Sequence, residues 1–159
     1  MANVTEIYTL TTQAAYLSDG VRDALEGLLR NLPPALKRSD NIAFYSNASI
    51  STAPIDIDTG AGSRPLAVVV ESRGSAGYLR LYNEDGSASV TGSDEIAGDI
   101  IVPVPSTTGE ITAISIFGNG FATWWGAGLV AAASASKPGA NARTVMTNMP
   151  RVYLLYVNA

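Results

Sequence analysis

The chain has 159 residues with 10 basic and 14 acidic side chains, a net charge of −4 and 47% hydrophobic residues, enough for one domain with a sizeable core. An acidic chain whose only adjacent basic pair is Lys37-Arg38 lacks the clustered basic surface that nucleic acids require, and anionic membranes repel it. It contains neither cysteine nor histidine, which excludes disulfides, thiolate or imidazole metal sites, and any nucleophile that depends on Cys or His.

The opening MANVTEIYTL has no basic segment and no uninterrupted apolar run, so it does not read as a secretory leader. Within it, Val4–Leu10 is a candidate first strand. A helix is expected next. Val21, Ala24, Leu25, Leu28, Leu29 and Leu32 recur on one face of a 3.6-residue period. Ser18 or Asp19 can cap its start, Glu26 and Arg30 are spaced as an i,i+4 pair, and Pro33-Pro34 stops it.

After Ser39 the pattern becomes short β-type runs separated by Gly, Pro, Asn and Asp. The expected strands are Ile42–Ser46, Leu66–Ser72, Tyr78–Tyr82, Ile100–Val104, Ile111–Phe117, Phe121–Trp125 and Val152–Val157. Such spacing indicates a sandwich or jelly roll rather than βαβ units. The run Leu66 to Val70 is apolar on both faces, which suits a central strand or one covered by the helix. In GYLRLYNE, Leu79 and Leu81 alternate with Tyr78, Arg80 and Tyr82, the pattern of a strand with one buried face. Arg73-Gly74-Ser75-Ala76-Gly77 and Asn83-Glu84-Asp85-Gly86 supply turn residues at its two ends.

Residues Ile111 to Ser136 carry no charge, but Gly118-Asn119-Gly120 and later glycines break the run, against a membrane-spanning helix. Trp124 and Trp125 are adjacent, and in a strand neighbours face opposite sides, so only one can enter any one pocket. One tryptophan in the core and one at a subunit contact is the expected arrangement, with a carbohydrate-binding surface as the alternative. The segment GLVAAASAS, Gly128–Ser136, fits either a short helix or an irregular packed run.

The stretch PIDIDTGAG, Pro54–Gly62, contains Asp58-Thr59-Gly60 behind an apolar lead-in, and resembles the active-site segment of retroviral-type aspartic proteases. Ile116-Phe117-Gly118-Asn119, with Gly118 60 residues beyond Asp58, echoes that family's bracing segment. The resemblance implies a homodimer in which Asp58 is the catalytic carboxylate and Thr59 steadies the loop. Against it, Asp56 falls two residues earlier and so on the same face of a regular strand, and two like charges there disfavour a shared-proton site. No glycine-rich flap hairpin is recognisable. Asp56-Ile57-Asp58 also suggests a calcium loop, but the twelfth position is Ala67 where an EF-hand needs Glu. An ad hoc cation site at Asp56 and Asp58, or around Asp94, Glu95 and Asp99, is the remaining metal reading. A solvated Asp/Gly corner is the simpler one.

From Ala48 to Trp125 the order of segments is RPLAVVVES, then GYLRLYNEDG, then IAGDIIVPVP, then ITAISIFGNG. This resembles the small β-sandwich proteins of tailed-phage particles in pattern and turn placement, over about half the chain. The resemblance implies a virion component, most simply a decoration or cement protein sitting on the capsid lattice as a trimer. A tail or baseplate component is the alternative in the same particle. The low charge, 15% against roughly 25% in ordinary domains, suits a surface covered by copies of itself, and the resemblance adds the major capsid protein or another virion protein as partner.

The expectation is therefore a mainly-β sandwich or jelly-roll-like single domain, residues 1–40 forming an N-terminal strand and helix packed on a sandwich of residues 41–159. It is read as a non-enzymatic virion protein without cofactor or metal, with no nucleic-acid or membrane partner. Tyr45, Trp124, Trp125, Tyr153 and Tyr156 are the expected interface residues, since large aromatics dominate interface energetics.

Overall fold

The computed structural model describes residues 18–31, 42–58, 63–84, 86, 100–116, 127–136 and 144–157. Helix α1 spans Asp19–Arg30. Eight strands follow: β1 (Ile42–Asn47), β2 (Ile55–Asp58), β3 (Arg64–Glu71), β4 (Gly77–Tyr82), β5 (Ile100–Val104), β6 (Ile111–Ser115), β7 (Leu129–Ser134) and β8 (Arg151–Val157). The candidate strands Val4–Leu10 and Phe121–Trp125 lie outside the described residues.

The strands make two antiparallel sheets, ordered β1-β8-β3-β6 and β2-β7-β4-β5. First pairs with eighth, second with seventh, third with sixth and fourth with fifth. This is one long eight-strand hairpin rolled up so that successive pairs fall in opposite sheets, the topology of a jelly roll. The β3–β4 connection is therefore an arch from one sheet to the other, tied to the β5–β6 connection by hydrogen bonds. Ser72 donates its hydroxyl to the Pro105 carbonyl at 2.5 Å, and the Gly109 N–H donates to the Ser72 carbonyl at 2.8 Å.

The core lies between the sheets. Val68 and Val70 of β3 and Val152, Leu154 and Tyr156 of β8 face Leu79 and Leu81 of β4 and Leu129, Ala131 and Ala133 of β7. Strand β7 is buried at all six positions, so the segment left open between helix and irregular run is a central strand. Strand β4 is buried on both faces too: Arg80 and Tyr82, on the side opposite the two leucines, are as inaccessible as Leu79 and Leu81. The one-sided burial read from its alternation is thus corrected. Tyr82 packs there with Val130 and Ala132.

A second apolar layer sits on the far side of the first sheet. Val21, Leu25 and Leu29 of α1 are buried against Leu66, Ala67, Val69, Tyr153, Leu155 and Val157. The helical stripe covers the outward positions of β3 and β8, which is why both strands are apolar on both faces. Ser18 is the N-cap, accepting from the Val21 N–H at 3.3 Å, and Glu26 pairs with Arg30 at 3.5 Å. No helix among the described residues is long and apolar enough to cross a membrane.

Candidate functional site

The Asp-Thr-Gly segment begins in β2, an edge strand of the second sheet. Ile55 opposes Ala131 and Asp56 opposes Val130, but Asp58 opposes Leu129, so one extra residue is inserted between Asp56 and Asp58. A bulge of this kind turns the strand and re-aims the side chain that follows. Opposed residues share a face. Asp56 therefore lies with Val130 on the outer side, where it is exposed, and Asp58 lies with Leu129 on the core side. The expectation that Asp56 and Asp58 share a face is overturned by this bulge. The two side chains therefore leave opposite faces of the strand.

Asp58 turns toward the seam where β1 and β2 form neighbouring margins of the two sheets. The fully buried Ser63 donates its hydroxyl to Asp58 Oδ2. Since β2 and β3 belong to different sheets, this bond clasps the sheets across residues 59–62. Beneath it are Tyr45 of β1 and Tyr156 of β8, both packed on the inter-sheet core. Tyr45 opposes Leu154, which makes Tyr156 its diagonal neighbour on the same face. Tyr45 Oη accepts from Asn47 Nδ2 at 3.0 Å. Burial holds the Tyr156 phenol above the ordinary tyrosine range, and the charges of Asp58 and Tyr45 push it further in the same direction.

This arrangement gives one carboxylate a buried hydroxyl donor and a phenolic neighbour. An aspartic-protease centre pairs two carboxylates over one proton, and in the retroviral type the second comes from the partner subunit. No group of three or more His, Cys, Asp or Glu side chains placed to hold a metal ion occurs among the described residues. Asp94, Glu95 and Asp99, the second candidate cation site, lie outside them.

Of the five aromatic residues expected at an interface, Trp124 and Trp125 are outside the described residues. Tyr153 is fully buried on the helix side of β8 and stacks on Phe44 with ring centroids 6.4 Å apart and planes 15° from parallel. Its ring is spent inside this chain, so it offers a partner no surface. Tyr156 is likewise buried, on the other face of the same strand. Tyr45 alone of the described three is half-buried and reaches the margin of the sandwich.

A second polar cluster gave no sequence signal. Arg80, with none of its surface exposed, donates from Nη2 to the Ser136 carbonyl at 3.0 Å and to Ser136 Oγ at 3.2 Å. Ser136 Oγ lies 2.6 Å from Ser134 Oγ, which also accepts from the Thr144 N–H at 2.8 Å. The Ala135 N–H donates to the Thr144 carbonyl at 2.8 Å. The cluster fastens the chain at residue 144 onto the end of β7. The two acceptors on Ser136 offset part of the cost of desolvating the guanidinium.

No protein-family model matches the chain, and no curated protein matches its sequence.

Proposed function

We propose that the chain is a non-enzymatic structural component of a phage particle, a decoration protein that reinforces the head lattice as a trimer. The observation that carries the reading is the jelly-roll order of the two sheets, β1-β8-β3-β6 on β2-β7-β4-β5. Double-sheet jelly rolls recur in viral shells, and the strand sequence that resembles the phage sandwich proteins runs through β3, β4, β5 and β6 of this roll. The same architecture serves lectins and cupins, so the residues have to discriminate. A histidine-based metal centre is ruled out by composition. Asp58, the residue with the strongest claim to chemistry, is engaged as a clasp between the sheets.

The low charge and the many short side chains favour repeated close packing against neighbouring protein. The test is direct. Antibody raised against the purified chain should label the heads of phage particles banded on a density gradient, and the chain should co-migrate with the major capsid protein in that band. Its absence from the banded particles would overturn the proposal, and labelling confined to tails would move it to another part of the virion.

A further inference from the structure

We draw no further inference here: the strongest candidate, the margin of the first sheet along β1, where Ile42, Ala43, Phe44 and Tyr45 are each half-buried, is an apolar edge and nothing in the structure shows what covers it.

Discussion

Removing the Ser63 hydroxyl asks whether the Asp-Thr-Gly corner is built to hold the sandwich together. In Ser63→Ala the carboxylate of Asp58 loses a donor that is wholly inside the chain. A hydrogen bond to a charged acceptor contributes about 1.5–3 kcal/mol net. Asp58 is only half-buried, so water recovers part of that loss and the expected cost is about 1–2 kcal/mol. In a chain of this length that lowers Tm by roughly 3–6 °C. Urea unfolding followed by intrinsic fluorescence measures it, with the midpoint moving and the slope unchanged. Asp58→Asn keeps an acceptor for Ser63 but removes the charge next to Tyr156. Its phenol should then titrate lower than in the parent, while burial, the larger cause, still holds it above the ordinary range. A spectrophotometric titration, differenced against Tyr156→Phe, isolates this group from the other tyrosines. Ser63→Ala within about 0.3 kcal/mol of the parent, below the effect of an ordinary hydrogen bond, would refute the clasp.

Two glycines should respond in opposite directions to the same change. A Cβ at Gly77 would lie 2.6 Å from the Ser134 carbonyl and 2.8 Å from the Met146 thioether, so Gly77→Ala should destabilise by about 1–3 kcal/mol. A Cβ at Gly27 meets nothing within 4 Å inside α1, and Gly27→Ala should stabilise by roughly 0.5–1 kcal/mol, both read from denaturant midpoints. Stability should also fall in alkali. The unfolded chain releases the Tyr156 proton as pH passes about 10, before the folded chain does. The contribution is therefore complete below that pH and is lost as pH rises through the folded phenol's own titration. Tyr156→Phe should remove this part of the alkaline loss, and an unchanged pH dependence in that variant would contradict the assignment.

Much of the architecture is written in periodicity. The leucine stripe of α1 and the two-sided apolar runs of β3 and β8 explain one another, because the helix buries the outward residues while the opposite sheet buries the inward ones. Strand β7 could not be read this way. It is central in its sheet and buried on both faces, so it shows no alternation, and its Ala-rich composition mimics a helix. Strand β2 is four residues long and falls within the segment read as an Asp/Gly corner. The inward aim of Asp58 rests on a one-residue bulge, and bulges leave no dependable mark in a single sequence. Tyr153 was misplaced for a different reason. Aromatic residue type suggests an interface, but its outward position on β8 falls under α1, which only the packing reveals.

The solution mass of the purified chain, measured by light scattering with and without Asp58→Asn, bears most directly on the assembly role. A particle of about three times 16.5 kDa, identical in the two proteins, is the expected result. A monomer at every concentration would contradict the assembly role. So would a dimer that cleaves peptides at acid pH and loses that activity in the variant, because Asp58 would then be a catalytic group.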